Sequence, residues 1–141
     1  MTVLHLQFPS SASDVRAALD RILQKDTANQ MPEGLRDTLQ IVLSEVLKNV
    51  VEHAYASTSG LIEMTVRAET DGVSCTVSDT GRQMPGHILS PHAPAFPDIG
   101  GDLPEGGFGW GLIRTLTRNL RYQRINGRNE LRFLVPFETI S

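Results

Sequence analysis

The chain has 141 residues, 40% of them hydrophobic and 21% charged, with a formal net charge of −3. That is the composition of one globular domain, expected over residues 1–141, and not of a disordered chain or a coiled coil. The acidic balance argues against direct nucleic-acid binding, and no apolar run approaches the roughly 20 residues that span a bilayer.

The stretch after Met1 alternates; it does not join a basic segment to an apolar run. No signal peptide is therefore read, and a cytoplasmic location is expected. Leu4, Leu6 and Phe8 alternate with His5 and Gln7, the period of a half-buried strand. Pro9 ends it, and Ser10, Ser11 and Ser13 offer helix caps. Val15, Ala18, Leu19, Ile22 and Leu23 then recur at helical spacing. After a polar connection, Pro32 suits the first turn of a long helix that runs to about His53. Its apolar stripe is Leu35, Leu39, Val42, Leu43, Val46 and Val50.

Next comes a hairpin. Ile62, Met64 and Val66 alternate, Thr70-Asp71-Gly72 turns the chain, and Val73, Cys75 and Val77 alternate back to Asp79. Cys75 reads as a small core residue, and as the single cysteine it cannot form an internal disulfide. The Pro- and Gly-rich stretch from about 82 to 106 carries no regular pattern and reads as a lid or binding loop, with His87 and His92 on its surface. A short helix is expected near Trp110–Arg118. A second hairpin closes the chain, Leu120–Ile125 and Leu131–Val135 around Asn126-Gly127. Helices do not alternate regularly with strands. The expected class is α+β, a two-layer sandwich with one mixed sheet and helices on one face.

Three constellations carry chemistry. On the long helix, at about 100° per residue, Glu45 and Asn49 stack one turn apart on one flank of the apolar stripe, and His53 falls inside the stripe. An amide oxygen there can ligate a hard cation such as Mg²⁺, and the carboxylate can take a proton from a hydroxyl. Asp79 ends a strand ahead of Thr80-Gly81-Arg82-Gln83-Met84. Such a carboxylate can accept from the exocyclic amine of adenine, Gly81 lets a flat ring approach the backbone, and Met84 offers a soft apolar contact. Last, Gly106-Gly107-Phe108-Gly109-Trp110-Gly111-Leu112-Ile113 opens a helix. Its amides and the helix N-terminus suit phosphate, although no Gly-Lys-Ser/Thr of a Walker A loop follows.

In this order and spacing the three motifs resemble those of the Bergerat-fold ATPases. The resemblance is strongest to the small anti-sigma-factor serine kinases of bacterial partner-switching systems. Glu45 through Tyr55 looks like their N-box, Asp79 through Pro85 like the first glycine box, and Pro104 through Ile113 like the second. Tyr122 through Phe133, with Asn129 ahead of the last strand, is similar to their closing hairpin.

The resemblance implies ATP and Mg²⁺ as cofactors. Glu45 would be the general base, Asn49 the Mg²⁺ ligand and Asp79 the adenine partner, with Gly81 under the base. Gly107, Gly109 and Gly111 would hold phosphates, with Phe108, Trp110 and Leu112 in the same nucleotide-binding box. It implies phosphorylation of a serine on an anti-sigma-factor antagonist, sequestration of a sigma factor, and a homodimer as in many relatives. The alternative is a kinase-inactive module of the same fold that acts by partner contact. Gln83 stands where the superfamily often has a second glycine.

Overall fold

The computed structural model describes residues 3–24, 33–56, 58–84 and 107–137. Strand β1 is Val3–Pro9. Ser11 caps α1, Ala12–Ile22, its hydroxyl accepting from the Asp14 amide at 3.2 Å. Helix α2 is Glu33–Asn49, and its end widens into a π-helical turn, Val50–Tyr55. Strands β2, Leu61–Ala68, and β3, Gly72–Asp79, form the first hairpin. Helix α3 is Gly107–Leu116, and β4, Arg118–Ile125, pairs with β5, Arg128–Pro136. Asn126 at φ 53° and Gly127 at φ 76° close that second hairpin. Positive φ at both central positions is the primed two-residue turn that matches strand twist.

The sheet order is β1-β2-β3-β5-β4. Every pair among these strands is antiparallel. The α+β class holds, but the sheet is not the mixed one expected. The connection from β1 to β2 explains the difference. It contains two helices, one returning and one going out, so β2 starts where β1 ended. Pro9 faces Leu61, and the Ser10 amide donates to the Gly60 carbonyl at 2.9 Å. A single-helix crossover would have produced a parallel neighbour instead.

One face of the sheet is apolar. Ile62, Met64 and Val66 of β2, Val73, Cys75 and Val77 of β3, and Leu131, Phe133 and Val135 of β5 are buried. They pack in one core with Leu39, Val42, Leu43, Val46 and Leu47 of α2. Burial of each such large side chain stabilises by about 1.5–3 kcal/mol. The opposite face carries Glu63, Thr65, Arg67, Thr76 and Arg132, with Arg128 paired to Glu63 at 2.9 Å. Cys75 is a core residue as expected, and burial pushes its thiol up, which keeps it protonated and unreactive. Among the described residues no helix is long and apolar enough to cross a membrane.

Two boundaries differ from the sequence expectation. The long helix is not α-helical to His53. The π-helical turn adds a residue and advances the phase, so Val50, Ala54 and Tyr55 are buried while His53 is only partly so. Helix α3 starts at Gly107, ahead of the expected Trp110, and ends at Leu116. Arg118 opens β4 instead of ending that helix.

Candidate functional site

Asp79 closes β3 at the buried end of the sheet and is 4% exposed. The strand alternation that buries Val73, Cys75 and Val77 also turns Asp79 inward. Its Oδ1 accepts from the Gly81 amide and from Asn129 Nδ2, both at 2.8 Å. Its Oδ2 has no hydrogen-bond partner among the described residues. Burial raises the pKa of this carboxyl. The bonds from Asn129 and Gly81 and the charge of Arg124 work against that rise.

The segment after Asp79 is tied down at several backbone groups. The Thr80 amide donates to Tyr55 Oη at 3.1 Å, and the Arg82 amide donates to the Ala54 carbonyl at 2.6 Å. Arg124 Nη1 donates to the Gly81 carbonyl at 2.8 Å, and Asn129 Nδ2 donates to the Arg82 carbonyl at 2.7 Å. The Met84 amide donates to Tyr122 Oη at 3.1 Å. Gly81 is required for this docking, since a Cβ there would lie 2.4 Å from the Ala54 carbonyl oxygen. A plain surface turn would show none of these ties to three different elements.

Asn129 is the hub. It is 2% exposed, and its Oδ1 accepts from Arg124 Nη1 at 2.8 Å and from the Tyr122 hydroxyl. All of its strong hydrogen-bonding groups are engaged, which fixes the Asp79 carboxylate from below. The sequence places Tyr122 and Asn129 in the closing hairpin but gives neither a role, and it does not single out Arg124. A signal was there: Asn129, Leu131, Phe133 and Val135 share the inward phase of β5, and a lone polar residue in that phase needs buried partners.

Asp79, Met84 and Trp110 line one cavity, together with Val46, Val50, Val77, Tyr122, Asn129 and Leu131. Its volume is about 10 Å³, room for about one water. Met84 and Trp110 are each 4% exposed. Trp110 Nε1 is buried with no hydrogen-bond partner among the described residues, a state that costs about 1–3 kcal/mol. Gln83 is exposed and does not line the cavity.

Glu45 and Asn49 of α2 directly precede two residues of the cavity wall, Val46 of the same helix and Val50 of the π-helical turn. Neither lines the cavity itself. Asn49 is 1% exposed, and its Nδ2 donates back to the Glu45 carbonyl at 2.8 Å, which leaves Oδ1 without a partner among the described residues. Glu45 is half-buried.

The glycine-rich box is divided by the helix. Gly107, Phe108, Gly109 and Trp110 are the first four residues of α3, whose amides lack intrahelical acceptors and can meet an anion. Gly111 and Leu112 lie further in, where amides join the helical ladder, so the Gly111 amide is not the free phosphate donor expected. The expected lid from about 82 to 106 is described only as far as Met84; its remainder, with His87 and His92, lies outside the described residues.

Comparison with known proteins agrees with this arrangement. Residues 8–135 match the profile of the histidine kinase-like ATPase domain. The chain is also 32% identical over 124 residues to the serine/threonine-protein kinase BtrW of Bordetella bronchiseptica, a match covering 86% of this chain and 83% of that protein.

Proposed function

The chain belongs to the histidine kinase-like ATPase domain family, and on that premise we propose that it is a serine kinase that transfers phosphate from ATP to a partner protein. The observation that carries this reading is Asp79. A buried carboxylate whose protein bonds both fall on Oδ1 keeps Oδ2 for an incoming donor, and the exocyclic amine of adenine is such a donor. Val46, Val50, Val77 and Met84 give the base an apolar surround.

Asn49 fits a Mg²⁺ role by the chemistry of its donor. Its amide nitrogen is held by the helix, so the unpartnered oxygen is the group it presents. A single neutral oxygen suits an ion that keeps waters and phosphate oxygens as its other ligands. Bound there, Mg²⁺ would neutralise charge on the transferring phosphate. The amides at the start of α3 add positive potential for the same phosphates. Glu45, one turn from Asn49, accepts the proton of the acceptor serine hydroxyl.

The acceptor in this reading is an anti-sigma-factor antagonist. A phosphate placed on its contact surface would release it by charge and desolvation and leave the kinase free to hold a sigma factor. Similarity to a serine/threonine-protein kinase supports the transfer. The partner identities rest on the motif resemblance.

The test is transfer of labelled phosphate from ATP to the antagonist. Glu45→Ala should slow transfer by about 10²–10⁴-fold and leave ATP binding intact. Transfer by the variant at the wild-type rate would remove Glu45 as the base. The small volume of the cavity favours one rival, a module of this fold that acts by partner contact without nucleotide. Wild-type chain that takes up no ATP, never labels the antagonist and still binds it would establish that rival.

A further inference from the structure

The inference concerns the same cavity and rests on its reading as a purine site. Sites for small organic ligands usually enclose about 300–1,000 Å³. Here the space between Asp79, Met84, Trp110 and Asn129 is about 10 Å³. A purine does not enter while these side chains keep their places. One of them has to leave.

The structure distinguishes which. Asp79 and Asn129 are bonded to each other, and Asn129 is bonded in addition to Arg82, Arg124 and Tyr122. The Met84 backbone is held by its amide bond to Tyr122 Oη, and its thioether carries no N–H or O–H to satisfy. Trp110 is the lining side chain whose own polar group is unsatisfied: among the described residues its Nε1 is buried without a partner. Buried indole N–H groups ordinarily find an acceptor, so this indole gains nothing polar from its position. It also sits in the first turn of α3 between Gly109 and Gly111, where the backbone resists rearrangement least.

We propose that Trp110 is a gate. In the nucleotide-free chain its indole fills the place of the purine. The base enters as the indole swings out, so occupancy of the pocket is coupled to the first turn of α3. The apparent affinity for nucleotide is then lowered by the fraction of chains with the gate open. A smaller side chain at this position removes that penalty.

Trp110 is the chain's single tryptophan, so its emission reports the gate directly. The full chain is titrated with ADP, which avoids phosphate transfer, and fluorescence with acrylamide quenching is followed alongside calorimetry. At saturation the emission should shift to the red and quenching should rise severalfold. Trp110→Leu should bind ADP severalfold more tightly than wild type. ADP uptake by calorimetry with unchanged emission and quenching, and no tighter binding by the variant, would overturn the gate and leave the pocket reading standing. No ADP uptake by wild type or variant would overturn the pocket reading, and the gate with it. Uptake by the variant alone would support both. The wild-type fluorescence needs no substitution, so a variant that fails to fold does not block the test.

Discussion

Asp79 meets two opposed demands. As the amine acceptor of the proposed function it would be needed ionised; as a buried group it is stabilised by staying protonated. Burial, the largest influence, raises its pKa in the folded chain. Between the ordinary carboxylate range and that raised value the folded chain therefore binds more protons than the unfolded one. Stability contributed by this group is present at low pH, falls as pH rises through that window, and levels off above it. Under the proposed function nucleotide affinity should run the other way, because it would need the ionised acceptor. In Asp79→Asn the oxygen can still accept from Gly81 and Asn129 and the buried charge is gone. The variant should melt a few degrees higher than wild type at neutral pH and lose the fall of Tm through the window. It should bind ATP about 10–100-fold more weakly, since an amide in place of the free oxygen opposes a donor with a donor. Thermal melts across pH, wild type against variant, check the first effect, and calorimetry checks the second.

The π-helical turn Val50–Tyr55 performs the next task up in scale. It places the Ala54 carbonyl and the Tyr55 hydroxyl where the Arg82 and Thr80 amides meet them. It thereby joins the end of α2 to the turn that follows Asp79. The Tyr55 hydroxyl also donates to the Leu61 carbonyl, while its ring packs over Gly60. Tyr55→Phe keeps the ring and loses the bonds. The expected result is a chain that folds, with ATP affinity reduced about 2–10-fold and little change in turnover at saturation. A drop in turnover with unchanged affinity would contradict this positioning role.

At this same scale the limits of sequence reading show their causes. Strand alternation and helix spacing are local signals, and they located β1, both hairpins and the bulk of α2. The π-helical turn is selected by tertiary bonds to residues some 25 positions away, which periodicity does not encode. Periodicity alone therefore puts His53 in the buried stripe and gives Tyr55 no role. The start of α3 departs from the sequence expectation for a related reason. Glycine propensity argues against a helix over Gly107–Gly111, yet the sequence was packed into one against α2. For the site, Asp79, Met84 and Trp110 were legible because each falls in a recognisable motif. Asn129 was less so, because its importance lies in four partners contributed by Asp79, Arg82, Tyr122 and Arg124.

For the molecule as a whole, the antiparallel sheet and the helical layer come together at one end, where α2, β3, α3 and β5 each supply part of the cavity wall. Asp79 on β3 and Asn129 on β5 face each other directly in register, so the pairing of these two strands sets the floor of the site. A ligand that binds across these elements stabilises all of them at once. Nucleotide at about 100 times its Kd should raise stability by about 2.7 kcal/mol, in a form the Asp79 variant shows only weakly. The most direct measurement is calorimetric titration of the wild-type chain with Mg-ATP and, separately, with Mg-GTP. Saturable uptake of ATP is predicted, with far weaker uptake of GTP, which presents a carbonyl where adenine presents an amine to Asp79. Equal uptake of the two nucleotides, or no heat with ATP at millimolar concentration, would contradict the account.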